Sequence, residues 1–514
     1  MSAPAGKAVL ARNTASSFLG YFVAFAVPIL LTPYIFHKVG RDGFGILAAL
    51  GTLGLWLSRF DLGIWAALPR EVADRRARDD RAGLESLATT WLTVDILFGA
   101  VLMGGVVAVG RAWLPWLLPA EKASEIHPVL IAIGLQAVLA PLLRHLIGSL
   151  EGMQRLDWVS KTNAVVSPLS AIGVVLFLER GWGLLGVAVN GVIFSVLQIV
   201  AFAVMLRRAG YPLTFEPSAY RAADLKRLIG FGWKLEANQL LLQAFRSDRL
   251  LLAITGLPAA LIGFYQIGAG AADRLVSLVQ TLSSAVLPAA SDLAARSDRD
   301  RIVLLLMRGT KYGALAATGL VGFAALFAPE VLVLWLGQPM AEASAVLRLL
   351  AAGLTLSAIV TCAKGVAVAL GGPGRVLGGT LSGLAGAAIL YIAVGRRYDY
   401  GGLAGSISAG MALAQAVFMI GFHGLLEFRW REWVGNAFLK PLAAIVPLLA
   451  VHGVWRWASP HLLPEVTGRL QALAVLAPAF ALSVGLAWAL ARTFKVIDDY
   501  DVDVLKSLGR RSAA

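Results

Sequence analysis

Charged and amide side chains recur at helical spacing inside stretches that are otherwise apolar. Glu236, Gln239, Gln243 and Arg246 lie three or four residues apart, so a helix carries them on one face. Arg249 follows close to that face, while Asp248 is rotated away from it. Gln266, Gly270, Asp273, Ser277, Gln280 and Ser284 form a second stripe, and Arg274 sits about 100° round the helix from Asp273. A guanidinium group in such a setting offers a forked donor that matches phosphate or carboxylate. Two readings stand side by side. Arg246 and Arg249 either line a wet cavity, or one of them pairs with Asp248 and locks two helices together. Asp273 is either a partner for Arg246 or Arg249 or a proton or cation site.

Further ionisable residues interrupt the other apolar stretches: Arg59, Asp61, Asp95, Arg144, His145, Lys234 and Lys364. At the centre of a bilayer such a group costs at least about 2.5 kcal/mol, so it must face water or a partner. Lys234 and Arg144 fall near helix ends, where long basic side chains snorkel to the interface. Lys364 and Arg59 fall deeper, which favours a cavity. His145 reads as a packed or hydrogen-bonded histidine. Cations outnumber acids in this set, and a low-dielectric cavity with excess positive charge attracts an anion. The candidate anion-binding residues are therefore Arg246, Arg249, Arg274, Lys364, Arg59 and Arg144, with Gln239 and Gln243 beside them. Asp248, Asp273, Asp95 and Asp61 are candidates for ion coupling or structural pairing, and Asp95 is the candidate proton site.

The elements that carry these residues follow from composition. The chain of 514 residues is 58% hydrophobic and only 15% charged, with a mean hydropathy of +0.74. Soluble domains carry roughly 25% charge, and a soluble fold could not hide this much apolar surface. An all-α polytopic membrane protein is expected. About fourteen apolar segments approach the roughly twenty residues a bilayer requires. They are 14–36, 44–68, 86–109, 128–150, 161–178, 184–206, 230–255, 260–287, 311–336, 344–370, 374–394, 402–426, 437–457 and 470–492. Pro168 splits the short fifth segment, and the eleventh is rich in glycine. Gly371-Gly372-Pro373-Gly374 reads as a tight turn.

The net charge of +14 is spread over short loops rather than gathered in a patch, which disfavours nucleic acid as a partner. Basic residues concentrate at 70–81, 207–227, 296–311, 429–440 and 492–511. The positive-inside rule then places both termini in the cytoplasm. No signal peptide is expected in residues 1–13. The longest loop lies between the sixth and seventh segments and is far shorter than a catalytic domain. Its stretch 220–228 reads as a short interfacial helix. Two stretches match across the chain, 40–81 and 255–301: Gly45 aligns with Gly263, and Leu68-Pro69 falls near Leu287-Pro288. Repeats offset by six helices share one orientation.

Catalytic, metal and nucleotide motifs are missing. No His-x-x-x-His pair, cysteine cluster or phosphate-cradling glycine loop before Lys-Ser or Lys-Thr occurs, so neither a cofactor nor ATP is expected. The single cysteine, Cys362, reads as a core thiol.

With these residues in view the chain resembles the polysaccharide flippases of the multidrug/oligosaccharidyl-lipid/polysaccharide exporter superfamily. Leu31-Thr32-Pro33-Tyr34, Val39-Gly40 and Phe44-Gly45 look like the first hairpin of that family. Phe60-Asp61-Leu62-Gly63 followed by Arg70-Glu71 looks like the end of its second helix. Asp248 with its apolar run, Gly263-Phe264-Tyr265 and Leu287-Pro288 look like its seventh and eighth helices. The resemblance implies two six-helix bundles around a central cavity, at 1–208 and 230–426, joined by a cytoplasmic linker at 209–229. Two extra helices and a tail follow at 427–514. It implies alternating-access transfer of an isoprenoid pyrophosphate-linked oligosaccharide across a bacterial inner membrane. Polysaccharide polymerase and assembly proteins are the further partners it implies. Three other functions stay in view: a flippase for a lipid-linked peptidoglycan precursor, a multidrug or toxin extruder of the same superfamily, and a membrane glycosyltransferase or polymerase. The extruder calls for acidic cavity residues, and the enzyme calls for a large outer loop.

Overall fold

A computed structural model describes residues 3–57, 63–117, 120–213, 215–245, 247–282, 286–426, 429–458, 466–493 and 496. The described residues are helices and their connections, with no strand among them. In chain order the helices are α1 Ala3–Leu57, α2 Ile64–Ala77, α3 Arg81–Leu117, α4 Ala120–Gly152, α5 Leu156–Glu179 and α6 Gly183–Arg208. Next come α7 Ala222–Phe245, α8 Asp248–Ile254, α9 Ala259–Leu282, α10 Val286–Ala295, α11 Arg299–Leu326 and α12 Ala328–Leu336. The last are α13 Ala341–Ala369, α14 Pro373–Ala393, α15 Asp399–His423, α16 Trp430–Glu432, α17 Lys440–Ala458 and α18 Arg469–Thr493. A π-helical turn, Trp433–Leu439, links α16 to α17.

The helices are apolar on the outside, as lipid demands. Leu30, Ile96, Leu97, Val101 and Ile420 are all exposed, and only 17% of the apolar window of α6 is buried. Among the described residues nine helices are long and apolar enough to cross a membrane, or ten if α11 and α12 form one broken span. The chain is thus an all-α, multi-pass membrane protein.

Two expected spans are broken. The seventh is divided into α7 and α8 around Ser247. The ninth bends by 80° between α11 and α12. Pro329 in the first turn of α12 explains that bend, since it lacks an N–H and its ring excludes a continuing helix. Pro168 has the opposite outcome to the one expected. It lies inside an unbroken 24-residue α5. The stretch 220–228 is not a separate helix, because α7 starts at Ala222 and continues to Phe245. The glycine turn at 371–374 does separate two helices, with Gly371 in the left-handed region at φ 76°.

The chain forms two compact units, 1–263 and 264–514, whose division falls within α9. In the first unit α3 packs on α4, α4 on α6, α1 on α5, and α2 on both α4 and α7. Its core gathers Ile64, Trp91, Leu146, Leu150, Phe202 and Leu206. In the second, α14 packs on α15, α11 on α13 and α17, and α12 on α18. Its core gathers Leu306, Ala363, Val366, Phe418, Phe422 and Trp433.

Two contacts in the first unit have no room for a side chain. The chain kinks within α1 at Gly40, and beyond the kink Gly45 lies on the backbone of Ala259 and Gly263. A Cβ at Gly45 would strike the Ala259 carbonyl, and one at Gly263 would strike the Arg41 carbonyl. The glycines that align across the sequence repeat therefore touch each other. At the start of α2, Gly63 is left-handed with φ 80°, and a Cβ there would strike the Gly232 backbone in α7.

Candidate functional site

The polar residues of α7 and α8 flank a helix break. Glu236 is buried, Gln239 is exposed and Gln243 is half-buried. Ser247, in the break, donates to the Gln243 carbonyl at 2.9 Å and accepts from the Trp56 indole N–H at 2.6 Å. The break leaves carbonyls of α7 without their usual i+4 donors, and the serine hydroxyl meets one of them. Asp248 opens α8 and is buried at 3% exposure, beside Arg249 at 7%. Arg249 Nη1 donates to Asp248 Oδ1 at 2.6 Å. This ion pair joins consecutive residues of one helix, so the contact itself does not bridge two helices. Arg246 lies outside the described residues, as do Arg59 and Asp61, and nothing is described of the Lys234 side chain.

In the second unit, α9 carries Asp273 and Arg274, both half-buried. The Arg274 guanidinium stacks over the Trp335 ring of α12, 5.2 Å from its centroid. That contact sets the cation against the electron-rich face of the indole. Ser277 donates to the Asp273 carbonyl at 2.7 Å. Lys364 is half-buried on α13. Two residues earlier Cys362 is buried, its Sγ 3.7 Å from the Leu305 carbonyl.

A separate polar group lies between α3 and α4 of the first unit. Asp95 Oδ2 is 2.8 Å from His145 Nδ1, with His145 at 0% and Asp95 at 8% exposure. Trp91 packs on the imidazole, the ring centroids 5.4 Å apart. The neighbouring Arg144 is half-buried, its guanidinium 5.9 Å from the Trp65 ring centroid. His145 is thus hydrogen-bonded as expected, and its partner is the residue singled out as a proton site.

Two further clusters escaped the sequence reading. Arg75 of α2 binds Asp224 of α7 in a forked pair at 2.5 and 3.2 Å, and Ser86 of α3 adds a donor to Asp224 at 2.6 Å. Arg75 also donates to the Gly83 carbonyl. Burial pushes the Asp224 carboxyl up, but the hydrogen bonds from Arg75 and Ser86 and the charges of Arg75 and Arg221 outweigh it. The group is held below the usual carboxylate range. In the second cluster Tyr34 donates to Glu179 Oε1 at 2.5 Å and Lys38 to Oε2 at 3.0 Å. Only ordinary residue types, an Arg and an Asp 149 residues apart, signal the first of these in sequence. Among the described residues, no three His, Cys, Asp or Glu side chains converge as metal ligands would.

With this geometry in hand, comparison with known proteins is informative. The model of a family described as "Polysaccharide biosynthesis protein" matches residues 10–294. A Shigella flexneri protein named "Putative O-antigen transporter" is 25% identical over 341 residues, which is 64% of this chain and 77% of that protein. Among solved structures, the lipid II flippase MurJ in an inward closed conformation matches with TM-score 0.69 at 13% identity, covering 96% of this chain and 99% of its own. An inward-facing multidrug resistance MATE transporter of the MOP superfamily matches with TM-score 0.65 at 14% identity, covering 80% and 99%. At these identities the structural matches establish a shared fold.

Proposed function

The chain belongs to the polysaccharide biosynthesis protein family, and from that membership we propose that it is a flippase. Its cargo in this reading is an isoprenoid pyrophosphate-linked oligosaccharide. It carries that cargo from the cytoplasmic to the periplasmic leaflet of a bacterial inner membrane, for surface polysaccharide biosynthesis. Both termini lie in the cytoplasm. Its partners are the lipid-linked substrate and the surrounding lipids, with polysaccharide polymerase and assembly proteins downstream. It acts as a carrier, not as an enzyme.

The observation that carries the reading is Arg274, a half-buried guanidinium within an apolar helix, set over the Trp335 ring. A fixed cation at membrane depth suits an anionic headgroup better than a cationic drug. Arg246, from the sequence, and Lys364 supply further positive charge in this reading, whereas Arg249 is paired with Asp248. Gln239 and Gln243 offer amides to sugar hydroxyls. Arg59 and Arg144 serve the cytoplasmic end of the path. The six-helix halves, 1–208 and 230–426, with the linker 209–229, alternate access by relative movement. The helices in 427–514 accommodate the lipid tail. Asp95, bonded to His145, is the proposed site of ion coupling, with Asp61, Asp248 and Asp273 in pairing roles.

The name of the Shigella relative and the flippase fold both agree with this function. The near-complete overlap with a lipid II flippase keeps a peptidoglycan precursor as the second cargo. The test is genetic. Arg246→Ala is expected to abolish export of surface glycan while the protein still inserts, and Arg246→Lys to rescue only partly, because the forked donor is lost. Unchanged surface polysaccharide in the Arg246→Ala strain would sink the proposal. A defect confined to peptidoglycan would select the second cargo.

A further inference from the structure

The exposed face of α9 is polar where lipid would require it to be apolar. Among the described residues of this helix, those exposed are Ser277, Leu278, Gln280 and Thr281. Ser277, Gln280 and Thr281 fall within about 100° of one another round the axis, so they share one face, which Leu278 borders. On α6 the exposed residues between the helix ends are Ile193, Val196, Leu197, Val200 and Val204, all aliphatic. On α5 they are Val165, Leu169, Ile172 and Leu176. Those faces suit lipid. A glutamine on such a face would hold its amide in hydrocarbon with no partner, at a cost of several kcal/mol. The other side of α9 is packed, with Val276 and Val279 buried. The polar face therefore addresses water, although it lies within the expected eighth span, 260–287.

The hydroxyl protons on this face are already committed. Ser277 donates to the Asp273 carbonyl at 2.7 Å, and Thr281 donates to the Ser277 carbonyl at 2.9 Å. A hydroxyl carries one donor and two acceptor lone pairs, so Ser277 has acceptor positions left for a ligand. Gln280 has no hydrogen-bond partner among the described residues. Its amide both donates and accepts. Such a surface suits a ligand rich in hydroxyl donors. It does not suit an anion, because Ser277 has no proton left to offer one. Arg274 lies one turn away, about 4.5 Å along the axis and about 60° round it from Ser277. It is the cation to which the phosphate end of the cargo was assigned above.

We propose that Ser277 and Gln280 bind the sugar joined directly to the diphosphate, given the cargo stated under Proposed function. With the diphosphate at Arg274, the first sugar ring meets the residues one to two turns farther along the same helix. Its hydroxyls donate to Ser277 Oγ and Gln280 Oε1, and Gln280 Nε2 donates to a sugar oxygen. Recognition is thereby divided along α9. Arg274 answers the charge, and Ser277 and Gln280 answer the hydroxyl pattern, so they set which first sugar is preferred.

Native mass spectrometry of the full-length protein in detergent separates the sugar's share from that of the charge. The probes are geranylgeranyl diphosphate and its glucose and N-acetylglucosamine conjugates. At least one conjugate is expected to bind the wild type about threefold to tenfold tighter than the bare diphosphate, the gain of a neutral hydrogen bond or two. Ser277→Ala/Gln280→Ala is expected to erase that advantage and leave binding of the bare diphosphate unchanged. Both positions are exposed, so the variant should fold, and Ser277→Thr, which keeps the hydroxyl, should preserve the advantage. Arg274→Gln is expected to weaken all three probes by a common factor. Equal affinity of the wild type for the three probes overturns the proposal and leaves the cargo reading standing. A double variant that keeps the advantage, or that weakens bare and glycosylated lipid alike, also overturns it. Failure of every probe to bind the wild type removes the cargo reading and this subsite with it.

Discussion

His145 and Asp95 meet at 2.8 Å between α3 and α4, sealed beneath the Trp91 ring. Removing one partner leaves the other buried among apolar side chains. His145→Leu is expected to destabilise the protein by about 3–5 kcal/mol. The double variant Asp95→Leu/His145→Leu should recover most of that loss, because neither polar group then remains. Melting temperatures of the three proteins in one detergent decide it; a double variant as unstable as the sum of its parts would refute the coupling.

Asp95→Asn keeps a hydrogen-bonding partner for His145 but cannot release a proton. If the pair couples transport to protons, this variant inserts normally and its export no longer responds to collapse of the proton gradient. Export assayed with and without an uncoupler gives the answer. A wild-type response in Asp95→Asn assigns the pair to structure alone.

Trp335 holds the Arg274 guanidinium over its ring, 5.2 Å from the centroid. Arg274→Gln is expected to reduce glycan export roughly tenfold or more without loss of the protein from the membrane. Trp335→Leu should give a smaller loss, since the charge stays but its orientation is freed. Equal export in wild type and Arg274→Gln would remove Arg274 from the cargo path.

The Arg75–Asp224 pair predicts a pH dependence with a definite sign. Asp224 titrates lower in the folded chain than in the unfolded one. Its contribution is therefore complete above the unfolded value, about 3.9, and is lost as the pH falls through the folded value. Asp224→Asn should cost about 3 kcal/mol near neutral pH, the low end for a broken buried pair. The gap between variant and wild type should stay constant from about pH 5 to 8 and narrow below about pH 4. Thermal melts across that range measure it.

At Gly63 two constraints coincide, a left-handed backbone and contact with the Gly232 backbone. Gly63→Ala is expected to cost about 2–4 kcal/mol from strain and overpacking together. Gly104→Ala, where a Cβ meets nothing within 4 Å, should be tolerated. Similar folded yields of the two variants would count against the Gly63 contact.

Hydropathy alone located α3 to α6, α13 to α15 and α18, because a bilayer imposes one length and one polarity on each. It missed the breaks at Ser247 and Phe327. A hydropathy window averages over a serine turn or a single proline, whereas the backbone responds to each. The Gly45–Gly263 match was legible as a repeat, yet nothing in the pattern said that the matched residues touch. Candidate residues on one helix, such as Gln239 and Gln243 of α7, were placed relative to one another by helical period alone. Partners on different helices were not, since Asp95 and His145 lie 50 residues apart and only packing brings them together.

The chain has one thiol, and Cys362 is buried with its sulfur set against the Leu305 carbonyl. Maleimide reagents that modify only water-accessible sulfur should pass the native protein by. Single cysteines placed along the proposed cargo path can then be read one at a time on an otherwise unaltered background, without first replacing a native residue.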